Sequence, residues 1–266
     1  MEHWFFEKSI MKVEGNTFAV TGAASGLGEA TARLLVANGA NVLLIDVNES
    51  WGERLAEELG SRALWPGKVD ITSEQEVDAA IDQAVSRFGS IRGVVHCGGI
   101  IGLGKIVERD GTPCNLDTFR EVIEVNLVGT FNVWRLVASR LVRLEPDEDG
   151  ERGVLISVSS VAYQDGQKGQ ASYAASKGGV SSLTLPVARD LAKAGVRAMT
   201  IAPGMFETSM MSRDHPVYHK IAHTLEFPER PGRPEEFAQL AMHIIQNRYL
   251  NGGVIRLDGA LRLSKI

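Results

Sequence analysis

Cysteine is almost missing from this chain: its 266 residues include two, Cys97 and Cys114. With no CxxC pair and no partner cluster, a disulfide framework is excluded, and the usage suits a reducing compartment. Long hydrophobic runs are missing too. The apolar stretches at 41–45 and 153–156 last a handful of residues, far short of the ~20 that a membrane-spanning helix needs. Nor is there an excess of positive charge. Lys and Arg number 28 against 33 Asp and Glu, a net charge of −5, which argues against a nucleic-acid binder with a concentrated basic face. Residues 1–12 carry Glu2, Glu7 and an interrupted apolar patch at Trp4, Phe5 and Phe6. They show neither a basic segment leading into an apolar one nor Arg/Ser richness, so no secretory signal or transit peptide is read there. The expected location is the cytoplasm.

What is present is globular material. A hydrophobic fraction of 44% with 23% charged residues rules out intrinsic disorder. Short β-rich apolar runs at 17–21, 41–46, 63–69, 91–96, 153–158, 196–201 and 254–257 alternate with amphipathic helical patterns at 26–38, 49–59, 73–88, 116–144, 173–193 and 234–246. Strands that are apolar on both faces and separated by helices imply a parallel sheet covered on each side. The expected fold is therefore α/β: a doubly wound, Rossmann-type, seven-stranded parallel sheet with helices on both faces. The unbroken alternation, without a Pro/Ser linker or internal repeat, predicts one domain over 1–266 with an N-terminal extension at 1–13. Two segments interrupt the rhythm. Residues 145–152 read as a solvated charged loop. Residues 204–233 hold Met205, Phe206, Met210, Met211 and Phe227, and read as a lid over an apolar substrate.

The first βα unit ends in Thr21-Gly22-Ala23-Ala24-Ser25-Gly26-Leu27-Gly28. Glycines let the chain turn tightly and bring backbone N–H groups against a pyrophosphate at a helix N-terminus. Such loops also serve as plain turns. Here the loop follows a strand, opens an amphipathic helix and precedes an acid, Asp46, at the next strand end, which favours dinucleotide binding. Asp46 either accepts from an adenosine ribose or caps the following helix beside Asn48. Asp70 either reaches the adenine edge or caps the helix near Ser73. Tyr173 and Lys177 stand at i and i+4 on a helix, about 6 Å apart along its axis and on one face. They are either an acid–base pair or a surface pair. For acid–base work a phenol must fall ~3 units, of which one ammonium supplies ~1–3. Cys97 reads as a buried small residue rather than a nucleophile. His215, His219 and His223 recur every four residues, but without an acidic or cysteine partner they read as a polar helix face, and no metal is expected.

Taken together, the residues resemble the short-chain dehydrogenase/reductase family. The resemblance runs from about Glu14 to the C-terminus. It rests on the TGxxxGxG loop at 21–28, Tyr173-x-x-x-Lys177, Ser160 thirteen residues before the tyrosine, Asn126 in a Val-Asn-Leu context, and Pro203-Gly204 with Thr208. It implies Tyr173 as general acid/base, with Lys177 lowering its pKa and holding the nicotinamide ribose. Ser160 would bond the substrate oxygen, and Asn126 would position a relay water. It further implies cofactor contacts from Gly22, Ser25, Gly26, Leu27, Gly28, Asp46, Asp70, Ile71, Cys97, Gly98, Pro203, Phe206 and Thr208, in addition to Tyr173 and Lys177. An acid at the end of the second strand implies NAD rather than NADP, with Arg33 the one cation that could favour a phosphate. One departure stands out: the family's Asn-Asn-Ala-Gly is here His96-Cys97-Gly98-Gly99. The first asparagine usually braces the sheet, so local stability is in question at His96.

Within the family, 129–133, 145–147, 169–173, 185–191, 200–204, 251–259 and the long segment 100–115 are similar to the type II 3-hydroxyacyl-CoA dehydrogenase group. The implied function is NAD-dependent interconversion of a secondary alcohol and a ketone, with an acyl-CoA thioester as substrate. Alternatives are a hydroxysteroid or generic alcohol dehydrogenase, a 3-oxoacyl-carrier-protein reductase or, outside enzymes, a non-catalytic dinucleotide sensor. The resemblance also implies a homotetramer pairing through 116–144 and 173–193, with a second contact through 251–266. The tail residues Leu261, Leu263 and Ile266 would be a costly exposed patch on a monomer unless they fold back on their own subunit. Neither a membrane nor a nucleic-acid partner is expected.

Overall fold

The computed structural model describes residues 10–208, 218 and 225–262. Residues 1–9 of the expected extension lie outside these, as do 209–217 and 219–224 of the expected lid. So do His215, His219, His223, Leu263 and Ile266.

Seven parallel strands form one sheet in the order β3-β2-β1-β4-β5-β6-β7. They are β1 (Thr17–Thr21), β2 (Asn41–Ile45), β3 (Ala63–Leu64), β4 (Gly93–His96), β5 (Gly153–Val158), β6 (Val196–Pro203) and β7 (Val254–Leu257). The helices are α1 (Gly26–Ala37), α2 (Glu49–Leu59), α3 (Glu74–Phe88), α4 (Leu116–Ile123), α5 (Gly129–Leu141), α6 (Ala162–Asp165), α7 (Ala171–Asp190) and α8 (Pro234–Gln246).

Strand side chains alternate between two cores. Phe18, Val20, Val42, Leu44, Val154 and Ile156 pack with α1 and α8, through Ala32, Leu35, Phe237 and Ala241. Ala19, Leu43, Ile45, Val94 and Leu155 pack on the other face with α3 and α5, through Val77, Ile81, Val133, Trp134 and Leu141. Both faces being covered explains why the strands read as continuous apolar runs rather than alternating ones.

Several helix boundaries follow local capping. Asn48 accepts from the Trp51 N–H at 3.3 Å to start α2, and Ser73 accepts from Glu76 N–H at 3.3 Å to start α3. β3 is shorter than the expected 63–69 because Pro66 has no N–H to give the ladder and Gly67 turns at φ +98°. The expected helix over 116–144 is broken by one π turn, Glu124–Val128, which carries Asn126. No described helix is long and apolar enough to cross a membrane.

Candidate active site

The strand order reverses between β1 and β4, and at the carboxyl edge of that crevice lies a cavity of about 500 Å³. Its first wall is the glycine loop. Gly26 turns at φ +55°, and a Cβ on Gly28 would collide with the Gly22 carbonyl oxygen. A Cβ on Gly22 would lie 3.0 Å from the backbone of Cys97 and Gly98, so the β1 and β4 loops touch main chain to main chain. Ser25, the residue before α1, makes no side-chain cap bond, leaving the first-turn N–H groups of α1 available to an anion. This is what a pyrophosphate requires.

At one end stand Asp46 and Asp70. Asp46 is not the helix cap, since Asn48 fills that role. Its Oδ2 accepts from the Ala24 N–H and its Oδ1 from the Asn48 N–H, both at 2.9 Å, so it also ties the glycine loop to β2. Asp70 does not cap α3 either; it accepts from the Thr72 N–H and hydroxyl at 2.9 and 2.8 Å. Arg33 is held by Glu29 and Glu58.

The other end holds Ser160, Tyr173 and Lys177, which enter from the end of β5 and one face of α7. Lys177 is buried and donates to the Val158 carbonyl at 2.8 Å; its Nζ lies 5.7 Å from the centre of the Tyr173 ring. Burial pushes the ammonium down to about 8, so it is still mostly protonated at pH 7. Burial pushes the Tyr173 phenol up, against a hydrogen bond with Ser160 that lowers it. The lowering expected from Lys177 does not appear: burial prevails, and the group that opposes it is Ser160.

Of the expected site residues, Gly22, Ser25, Gly26, Leu27, Gly28, Asp46, Asp70, Ile71, Cys97, Gly98, Ser160, Tyr173, Lys177, Pro203, Phe206 and Thr208 all line the cavity. Asn126 does not. It is fully buried behind the wall, where Oδ1 accepts from the Ile100 N–H (2.8 Å) while Nδ2 donates to the Ile100 carbonyl (2.9 Å) and Ser176 Oγ (3.0 Å). A Cβ on Gly99 would lie 3.0 Å from Asn126 Oδ1 and 3.4 Å from Lys177 Nζ, so both flank the same glycine. The sequence reading missed Gln167, Gln170 and Ser159 as site residues, while Met205 enters from the expected lid. All four line the cavity, and Ser159 Oγ also donates to the Lys177 carbonyl at 2.8 Å, pinning α7 to β5.

His96 does brace the sheet. Its Nδ1 lies 2.9 Å from Thr21 Oγ1, which also accepts from the Gly98 N–H at 3.0 Å. Burial, then the Lys177 charge, pushes its imidazole down to about 3, so it stays neutral. Burial pushes the Cys97 thiol up to about 12, against the Lys177 charge, which removes it as a nucleophile. Leu261 folds back on its own chain and is buried with Val161, Met205, Tyr218 and Leu225, so it adds nothing to an exposed tail patch. Among the described residues no group of three or more His, Cys, Asp or Glu side chains is placed to hold a metal ion.

A doubly wound sheet with a glycine loop at its switch point and a Ser/Tyr/Lys set facing it defines a dinucleotide-dependent oxidoreductase. The short chain dehydrogenase family matches residues 16–217, and the chain belongs to it. It is 47% identical to 3-hydroxyacyl-CoA dehydrogenase type-2 from Homo sapiens over 253 residues, 94% of this chain and 97% of that one. A crystal structure of 3-hydroxyacyl-CoA dehydrogenase type-2 from Mycobacterium avium superposes with a TM-score of 0.90 at 44% identity, covering 96% of this chain and 100% of that one. A 3-ketoacyl-(acyl-carrier-protein) reductase from Brucella melitensis, complexed with NADH, superposes with a TM-score of 0.84 at 28% identity, covering 95% and 100%.

Proposed function

We propose that the chain interconverts 3-hydroxyacyl-CoA and 3-oxoacyl-CoA with NAD as cofactor. The observation that carries the chemistry is the convergence of Ser160, Tyr173 and Lys177 on one cavity with the glycine loop and Asp46. The thioester substrate is supported by the 3-hydroxyacyl-CoA dehydrogenases that match nearly the whole chain. In the oxidation direction the Tyr173 phenolate takes the proton of the substrate hydroxyl, and the Ser160 hydroxyl bonds the same oxygen. Lys177 holds the nicotinamide ribose and contributes positive charge near the phenol. Asn126 acts one layer back, fixing the Ile100 backbone and the Gly99 wall beside Lys177. When bound, the oxidised nicotinamide accepts the hydride and adds a positive charge that favours the phenolate. The test is a panel of acyl-CoA thioesters, steroids and simple alcohols followed by reduced-cofactor absorbance. A thioester should give the highest kcat/KM; if none exceeds the simple alcohols, the substrate assignment fails.

NAD is favoured over NADP by Asp46, whose carboxylate suits ribose hydroxyls and repels a 2′-phosphate. Arg33, spent on Glu29 and Glu58, does not offset it. Asp46→Ala should shift the NAD:NADP ratio of kcat/KM towards NADP by ~30- to 1,000-fold. Taking the ratio cancels any loosening of the loop from the lost bond to Ala24. An unmoved ratio would leave Asp46 with a purely structural role.

A homotetramer is favoured by the exposed Phe119, Val128 and Phe131 along α4, the π turn and α5, and by Leu185 on α7. Light scattering at micromolar concentration should give a tetramer mass, and a monomer mass would refute it. Both cysteines are free, which suits a reducing compartment such as the cytoplasm.

A further inference from the structure

Seven buried side-chain polar atoms have no hydrogen-bond partner among the described residues: Thr17 Oγ1, Trp65 Nε1, His96 Nε2, Trp134 Nε1, Glu151 Oε2, Gln167 Nε2 and Arg248 Nε. Of their residues, only Gln167 lines the cavity that holds Ser160 and Tyr173. A buried donor left unsatisfied is costly in a folded protein, and in a binding cavity it marks where a ligand acceptor belongs.

The segment around Gln167 is built to hold it still. The Gln167 N–H donates to Gln170 Oε1 at 3.0 Å, and the Gln170 N–H donates back to the Gln167 carbonyl at 3.1 Å. Gly169, at φ +80°, closes the turn, and its carbonyl accepts from the Gly104 N–H at 2.8 Å, which fastens the turn to the segment 100–115. Gln170 precedes α7, whose first turn carries Tyr173. The Gln167 backbone is therefore anchored to the start of the helix that carries the phenol, while its side-chain Nε2 is buried and unspent.

From this we infer that Gln167 is a specificity-determining residue whose Nε2 donates to the second carbonyl oxygen of the substrate, the C1 oxygen of the thioester. This rests on the thioester reading above. In a 3-oxoacyl thioester the reacting C3 oxygen and the C1 oxygen are separated by a single methylene carbon. With the C3 oxygen on Ser160 and Tyr173, the C1 oxygen still needs a donor; of the two carboxamides on the cavity wall, Gln170 is engaged through Oε1 by the Gln167 N–H, and Gln167 is the one with a buried, unspent Nε2. A steroid ketone or simple alcohol has no acceptor at that place and would leave Nε2 unpaired. The site thus selects 1,3-dicarbonyl substrates over plain ketones by the penalty of an unsatisfied amide.

The test is a cycle that changes enzyme and substrate together. Wild type and Gln167→Met, each with NADH, are assayed with acetoacetyl-CoA and with S-(3-oxobutyl)-CoA, a thioether that keeps the ketone and the CoA but lacks the C1 oxygen. Gln167→Met should lower kcat/KM about 10- to 100-fold for acetoacetyl-CoA and less than ~2-fold for the thioether. Because the intrinsic reactivity of the two ketones is common to both enzymes, it cancels. Gln167→Glu keeps the shape of the side chain and replaces the donor with an acceptor, so it should show the same selective loss. NADH binding, read by fluorescence, should be unchanged in both variants. Equal losses on the two substrates in both variants, or no loss on either, would overturn the role of Gln167 and leave the thioester reading standing. A wild type that reduces simple ketones but not acetoacetyl-CoA would overturn the thioester reading and this inference with it.

Discussion

Tyr173→Phe is expected to lower turnover by ~10²- to 10⁴-fold in both directions, the range that a positioned proton donor or acceptor contributes. The substitution removes one oxygen and leaves the ring, so the cavity wall and the Lys177 contact to the Val158 carbonyl should persist. NADH affinity should therefore stay within ~2-fold, which separates a chemical role from a binding one. The pH dependence gives a second readout. Burial holds the Tyr173 phenol above its ordinary value, and only the phenolate accepts a proton. Wild-type oxidation should accordingly climb with pH through neutrality, and in the variant that climb should flatten. The Lys177 ammonium fades above about 8, so the supporting charge is lost as the phenolate gains population. Full activity in Tyr173→Phe would refute the assignment.

Much of this architecture is legible in the sequence because each strand is apolar on both faces. Runs such as Val154-Leu155-Ile156 leave no solvent-facing alternation, and that pattern fits a strand buried between two helical layers. The glycine loop is legible for a steric reason: Gly22 and Gly28 stand where a Cβ would strike main chain. Three features were not legible. The π turn at Glu124–Val128 leaves no mark on residue type, since its side chains suit an α-helix equally well. β3 ends early because Pro66 outweighs the apolar pattern running on to Val69. Gln167 is an ordinary polar residue in a short turn, and only a buried, unspent Nε2 on the wall of the cavity that Tyr173 also lines distinguishes it. Asp46 was legible in part. Its place at the end of β2 pointed to the cavity, whereas its bond to the Ala24 N–H depends on how the β1 loop returns past β2.

The largest stability effect is expected at a pair far from the chemistry, Arg197 on β6 and Glu151 just before β5. The Arg197 Nε donates to Glu151 Oε1 at 2.7 Å, and both side chains are 7% exposed. The rest of the guanidinium closes the end of α8: one terminal nitrogen donates to the Ile244, Asn247 and Leu250 carbonyls at 2.8, 3.2 and 2.9 Å, and the other to Ile245 at 2.8 Å. Last-turn carbonyls have no partner within a helix, so this one side chain both satisfies them and pairs the acid. Arg197→Met should cost about 3–5 kcal/mol, because it strands the carbonyls and leaves the buried Glu151 carboxylate with only Arg248, whose Nε lies 3.7 Å from Oε2. For a domain of this size that corresponds to a fall in Tm of ~6–20 °C.

The sign of the pH dependence follows from Glu151. Burial pushes its carboxyl above the ordinary value even with Arg197 present, because burial outweighs the guanidinium. A folded-state pKa above the unfolded one means that folding is favoured as pH falls and the group takes up a proton. Removing Arg197 raises that pKa further, so the penalty of the variant should be largest at neutral pH and shrink towards pH 5. Adding Glu151→Leu to Arg197→Met removes the stranded charge and should recover part of the loss at pH 7. Thermal unfolding of the single and double variants at two pH values measures both. If the single variant melts within ~2 °C of wild type at pH 7, or if its deficit does not shrink with acid, the pair contributes packing and no electrostatic stabilisation.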